Sequence, residues 1–533
     1  MKTLRDSAAV RWMALLLLAL TIFCAYFFND ILSPIQDLLL NLQGWSNDDY
    51  GTYQSSYSIL NVFLFFLIFA GIILDKMGVR FTALLSCSMM LTGAIIKWYA
   101  FTGNFVGSGL EQWLSSHLNY IPLFDELGVS PFRSTMPASA KLSIIGFMIF
   151  GSGIEMTSIT VSRGIVKWFK GPDMAMAMGA EMALARLGTA TVFLFSPFIA
   201  SMNGNVSVSR PVTFGVAVLL AALVMVIVYF FMDKKLDEQT GEAEEKDEPF
   251  RLKDIKLILT SSGFWLVALF SLLFYSVVFI FPKYATNMLQ CNLTLEAPEE
   301  GSFWSRGTPN VLQYVVVLLM AGTSFYSNFA KNATVRNVML SVAGIALLVI
   351  CYMGFRLQTA ESILAVLQLL PVALTPMLGK YLGEHGKGAS MLVLGALLLV
   401  LCNLIFAFLL PVVKGSGIGV LLAYITILML GVAFSLVPAA LWPSVPKLVD
   451  AKIIGSAYAL IFWIQNMGMW LTPLLVGKIL GNTNKNVDTA SYDYVYAMSV
   501  FVVLSVIALI VGLILKKVDK DKNLGIEYIN VTK

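Results

Sequence analysis

The sequence predicts an all-α polytopic membrane protein, and three observations carry that reading. Of 533 residues, 58% are hydrophobic and 13% are charged, with a mean hydropathy of +0.79; an average soluble protein is about one quarter charged. No water-facing surface can be built from so few charges, which excludes a soluble enzyme. The apolar residues fall in stretches long enough for the roughly 20-residue helices that cross a bilayer. They lack the short alternating pattern of barrel strands.

Uninterrupted or nearly uninterrupted stretches lie at 12–29, 54–74, 81–96, 142–162, 174–200, 211–232, 257–282, 307–330, 337–355, 362–379, 388–413, 415–446, 453–477 and 494–515, fourteen expected spans in all. The first lacks a small-residue cleavage site and runs into Asn29 and Asp30, so it reads as a transmembrane helix and not a cleaved signal. Residues 1–232 form an expected N-terminal six-helix bundle, with a long loop at 101–140. Residues 233–256 are the densest charge run in the chain and read as a cytoplasmic linker. Within it and just beyond, Arg251–Leu259 reads either as a short interfacial helix or as plain linker. Residues 257–533 make the C-terminal bundle, interrupted by a hairpin of two extra spans at about 307–355.

Orientation follows from the basic residues. With the N-terminus inside, 25 of the 36 Lys and Arg fall on the inner side, 10 outside or near the outer ends, and Arg186 lies within a span. This positive-inside bias places both termini in the cytoplasm; with no acidic dileucine sorting signal in the short N-terminal stretch, the expected location is a bacterial cytoplasmic (inner) membrane, with a eukaryotic organelle as the alternative. The net charge of +4 reflects the loop bias and implies no nucleic-acid partner. Cys24, Cys87, Cys351 and Cys402 lie inside spans and Cys291 is alone outside, so no disulfide framework is implied.

Two similar signatures mark the ends of corresponding spans. GIILDKMGVR sets Gly71, Asp75, Gly78 and Arg80 after span two, and GKYLGEHGKG sets Gly379, Gly383, Glu384, Gly386 and Lys387 at similar offsets in the second half. Glycines permit tight turns and close helix approach, and an acid and a base at the membrane edge can latch helices together. The first copy resembles the cytoplasmic signature of the major facilitator superfamily. That resemblance implies a major facilitator fold, two six-helix bundles plus the inserted hairpin, in which the acid and the arginine latch the halves. The second copy departs from it, with Gly383 where the acid would stand.

Further stretches resemble the MFSD1-like subfamily of lysosomal dipeptide transporters: AYFFNDILSPIQ at 25–36, YSILN at 57–61, FGSGIEM at 150–156, WFKG at 168–171, ALARLG at 183–188 and SLVPAALWPSVPKLVDAKIIGSAYALIFWIQNMG at 435–468. They are spread over both halves in the same order. The resemblance implies that Glu155 and Arg186 hold the two termini of a peptide.

The residues themselves lead to the same pair. An ionisable group at mid-membrane costs at least about 2.5–3.5 kcal/mol and faces a cavity or a partner. Glu155 and Arg186 lie within consecutive spans, near mid-depth and about one turn apart at 1.5 Å per residue. Arg186 can take a carboxylate through two parallel hydrogen bonds and Glu155 an ammonium. The alternatives are an ion pair that fastens two helices and a proton-coupling or gating pair. Asp30 is read as a further site acid or as an outer-rim cap. Tyr57, Asn61, Tyr458, Gln465, Asn466 and Trp442 are read as cavity-lining or as helix packing. Glu181, nearer the cytoplasm than Arg186, is a candidate gate. Lys283, after Pro282, reads as snorkelling to the interface or as a substrate contact from the C-terminal half.

The only histidines, His117 and His385, are in loops, which removes an intramembrane histidine relay or metal cluster. There is no GxxxxGK[ST] sequence for a nucleotide-driven pump. No cofactor and no catalytic residue is expected. The expected function is secondary transport of a small zwitterion, a dipeptide on the resemblance, by alternating access around a site between the halves. Uniport and proton coupling both stay open, as do an organic-anion substrate held by Arg186 alone and a non-transporting receptor or scaffold.

Overall fold

The computed structural model describes residues 3–169, 172–240, 260–293, 308–327, 332–449 and 453–528, with 258, 295, 299, 301–303 and 330 besides. The chain resolves into two compact units. Unit 1 comprises Met1–Gly188, Ser196–Arg251 and Met469–Asn482; unit 2 comprises Thr189–Phe195, Leu252–Gly468 and Thr483–Lys533.

The first half holds α1 (Ala8–Asn29), α2 (Gln36–Gln43), α3 (Asn47–Ser56), α4 (Ile59–Phe63), α5 (Phe66–Tyr99), α6 (Gly109–His117), α7 (Pro122–Glu126), α8 (Ala138–Trp168), α9 (Pro172–Ala200) and α10 (Ser209–Thr240). The second half holds α11 (Ser262–Val278), α12 (Phe281–Asn292), α13 (Thr308–Ser327), α14 (Ala333–Leu357), α15 (Ala360–His385), α16 (Gly388–Leu404), α17 (Gly417–Leu448), α18 (Ile454–Thr483) and α19 (Val495–Lys522). The chain is all-α, as expected.

Among the described residues, twelve helices are long and apolar enough to cross a membrane, against the fourteen expected. The spans expected at 54–74 and 81–96 share the single stretch Phe66–Tyr99, which breaks where Gly78 takes φ 76° and ψ 172°. Only glycine adopts that backbone without strain, so this signature glycine is where the chain turns between the two spans. Its counterpart Gly386 also has positive φ, 70°. The span expected at 307–330 is α13, whose apolar part, Val311–Ser324, is shorter than the others.

Two sequence expectations change, and one element was not anticipated. The polar run NDDYGTYQSS is helix α3, and nine of its ten residues are buried, with Asp48 half-buried. Its N-cap Ser46 and Asp49 form a reciprocal capping box. The 101–140 loop contains α6 and α7, and Leu114 joins Ala100, Phe105, Ala138 and Leu142 in a small core of its own. The sixth span does not stop at 232: α10 runs to Thr240. The rest of the expected linker, and most of the Arg251–Leu259 segment, lie outside the described residues.

Candidate functional site

Two charge–tyrosine pairs form within unit 1, and each is made possible by a glycine. On α8, Gly151 lies against the backbone carbonyl of Tyr57, so closely that a Cβ at 151 would overlap it. One helical turn further along α8 is Glu155, and the Tyr57 hydroxyl donates to its Oε1 at 2.8 Å. On α9, Gly188 meets the carbonyl of Phe23 of α1 in the same way. Arg186 precedes that crossing by two residues and Tyr26 follows it by three, and the guanidinium carbon lies 5.7 Å from the Tyr26 ring centre. The FGSGIEM and ALARLG stretches therefore each supply both a charged group and the glycine that lets its partner helix come near.

The two pairs share one electrostatic neighbourhood. Arg186, Glu155, Glu181 and Asp30 all act on the Tyr26 phenol, and Glu155, Tyr26 and Asp30 act on that of Tyr57. Tyr26, Tyr57, Glu155 and Arg186 are each half-buried, while the flanking Phe27, Phe28, Ser58, Ile154, Met156, Ala185 and Leu187 are buried. A cation and an anion in half-exposed positions, each carried by an aromatic hydroxyl or ring, can take up a small molecule of opposite charges. Sequence reasoning missed Tyr26; its signal was a phenol in the apolar run before Asn29.

Of the remaining candidates, Asp30 and Asn61 are buried, 6% and 0% exposed. Tyr458, Gln465 and Asn466 lie on α18 in unit 2. The Tyr458 hydroxyl donates to the Trp442 carbonyl at 2.9 Å, and Trp442 Nε1 donates to the Tyr275 hydroxyl at 3.1 Å. Gln465 accepts from Ser271 Oγ at 3.1 Å, and Asn466 donates to the carbonyl of Phe462 one turn back on its own helix. These bonds stitch α11, α17 and α18. Lys283 does not snorkel: it is 7% exposed, since α12 turns it inward.

Near the end of α10, Arg80 reaches Asp237 at 2.9 Å and Asp233 at 4.0 Å. Lys167 of α8 reaches the same two acids at 2.8 and 2.6 Å. Asp233 is fully buried and also accepts from Trp168 Nε1 at 2.8 Å and from the Tyr229 hydroxyl at 3.2 Å. Asp75 is half-buried, and the Glu384 side chain lies outside what is described. Asp519 on α19, like Asp233 on α10, comes twenty-four residues after the first residue of its helix. Its carboxylate accepts from the backbone N–H groups of Ile526 and Glu527 at 2.9 and 3.0 Å. Glu527 in turn accepts from the amide of Ser390, at 3.1 Å, and from its hydroxyl, and its carbonyl accepts from the amide of Lys387 at 2.8 Å.

The family profile described as Major Facilitator Superfamily matches residues 18–369. The lysosomal dipeptide transporter MFSD1 of Danio rerio is 21% identical over 469 residues, covering 86% of this chain and 78% of the relative. The protein of the same name from Homo sapiens is 20% identical over 481 residues, covering 89% and 80%. Among solved structures, a mutant form of the nucleoside transporter NupG superposes with a TM-score of 0.59 at 13% identity, over 94% of this chain and 99% of that one; at this identity the likeness concerns the fold. The profile covers well over half of a chain whose helices, signature turn and intramembrane charges have just been described, and the protein belongs to the major facilitator superfamily.

Proposed function

We propose that this facilitator carries small zwitterions, dipeptides foremost, across the membrane by alternating access. The observation that carries the reading is the pair of opposite charges in one neighbourhood of unit 1, Glu155 under the Tyr57 hydroxyl and Arg186 over the Tyr26 ring. A peptide carboxylate matches the planar fork of Arg186, and an α-ammonium matches the carboxylate of Glu155. The names of the MFSD1 relatives, lysosomal dipeptide transporters, support the same substrate class. Transport needs no bond to be made or broken, and we read the protein as a carrier and not an enzyme. A bacterial inner membrane with both termini cytoplasmic remains the proposed setting, on the basic-residue bias.

The test is exchange of labelled dialanine in proteoliposomes. Wild type is expected to exchange it, with Glu155→Gln and Arg186→Ala each lowering exchange at least tenfold. Exchange unaffected by both variants, or exchange of a simple organic anion but of no dipeptide, would sink the reading; the second outcome would assign the site to Arg186 alone.

A further inference from the structure

The short helix α6, between α5 and α8, has no part in the site described above, and the packing of unit 1 uses only half of its apolar side. Leu110, Trp113, Leu114 and His117 recur at i, i+3, i+4 and i+7, which puts them on one side of the helix. Gln112, Ser115 and Ser116 lie away from that side and are exposed. Leu114 is 1% exposed and packs with Ala100, Phe105, Ala138 and Leu142. Leu110 and Trp113, by contrast, are 41% and 51% exposed, and Val106, four residues before Leu110, is 73% exposed. The Trp113 indole stacks on the His117 ring with centres 5.6 Å apart.

Both ends of α6 are fixed, so this exposure is not that of a fraying loop. At its start Ser108 Oγ accepts from the Glu111 amide at 3.2 Å, and the Glu111 carboxylate accepts from the Gly107 amide at 2.5 Å. Toward its end the buried Lys141 of α8 donates to the Leu114 carbonyl at 3.1 Å and to Asn119 Oδ1 at 2.5 Å. The level at which α6 sits follows from what it touches. Ile96 and Ile145 pack against the same cluster as Leu114, and both belong to helices long and apolar enough to cross a membrane, Phe66–Tyr99 and Ala138–Trp168. Thus α6 is seated where α5 leaves the apolar layer and α8 enters it. Its uncovered apolar side continues the surface of those two spans. A tryptophan and a leucine at that level, backed by a polar side turned to water, match the pattern of a helix lying in the membrane–water boundary.

We propose that α6 is an interfacial helix, with the side formed by Leu110 and Trp113, and Val106 before them, seated in lipid where the headgroups meet the acyl chains. The occupant is lipid and not a second protein, because the stripe is narrow and borders directly on surface that the bilayer covers. Held there, α6 anchors the neighbouring ends of α5 and α8 to the membrane surface.

The test uses the full chain in phosphatidylcholine vesicles, with a nitroxide attached at Leu110→Cys or, on the polar side, at Gln112→Cys, and the signal of label-treated wild type subtracted. Collision with oxygen, which concentrates in lipid, is compared with collision with a water-soluble nickel chelate. The label at 110 is expected to favour oxygen over the chelate at least about threefold more than the label at 112 does. A chelate that reaches 110 as freely as 112 puts the face in water and overturns the proposal. A label at 110 that neither reagent reaches assigns the face to a protein partner, a second copy included, and overturns it as well. Without any label, Trp113→Phe is expected to lower the share of the protein's fluorescence that is quenched by phosphatidylcholine brominated near the headgroup end of its chains. An unchanged share overturns the proposal, and neither readout depends on which substrate the protein carries.

Discussion

Tyr57 and Tyr26 do for Glu155 and Arg186 part of what water does for charges in solution, and they do it by two different means. The Tyr57 hydroxyl gives Glu155 a charge-assisted hydrogen bond, of a kind worth about 1.5–3 kcal/mol. The Tyr26 ring offers Arg186 a face, a contact worth about 0.5–2 kcal/mol. Tyr57→Phe is therefore expected to raise the half-saturating dialanine concentration about tenfold, measured by exchange in proteoliposomes; an unchanged value would show that Tyr57 only packs. Glu155 and Arg186 were legible in the sequence because charges inside apolar runs stand out against their surroundings. Tyr26 was not, because a tyrosine next to Phe27 and Phe28 looks like any aromatic core residue until the arginine above it is seen.

Helix ends were harder to read than helices. The apolar pattern of α10 stops at Met232, and the charge run after it looks like the start of a linker. The helix continues because Arg80 and Lys167 neutralise its next two acids, so the segment is charged in sequence but compensated in space. The same holds for α3, whose polar side chains are buried and cannot be told from a loop by hydropathy. Asp233 is the cornerstone of this end of α10, with Lys167, Trp168 and Tyr229 donating to a fully buried carboxylate and Arg80 4.0 Å away. Removing one partner of a buried pair costs about 3–5 kcal/mol. Asp233→Asn is accordingly expected to lower the thermal unfolding midpoint of the detergent-solubilised protein by several degrees. Asp237→Asn, with its more exposed carboxyl, is expected to lower it less. Equal effects of the two would show that Asp237 alone can anchor Arg80 and Lys167.

For the whole molecule, the fold class and nearly every span were legible, because burial in lipid demands long apolar runs that composition and spacing reveal directly. The count of fourteen differs from the twelve long apolar helices where one glycine joins two spans into a single stretch and where α13 has a shorter apolar part. Orientation is checked on the intact protein. The native cysteines make little background, since four of the five are buried. Asn205→Cys, in the exposed loop after α9, is expected to react with a membrane-impermeant maleimide from outside intact cells. Asp521→Cys, near the end of α19, is expected to react only after permeabilisation, and the reverse pattern would invert the topology.

The matching positions of Asp233 and Asp519 carry one more lesson. A buried carboxylate is indifferent to what donates to it: in one half it is satisfied by a lysine and two ring-borne donors, in the other by the amides of Ile526 and Glu527. The acid is common to the two helices, and its donors differ. An extension fused directly after residue 528 adds its load to the tail that Asp519 holds, whereas the same fusion at the other terminus leaves that carboxylate's partners alone.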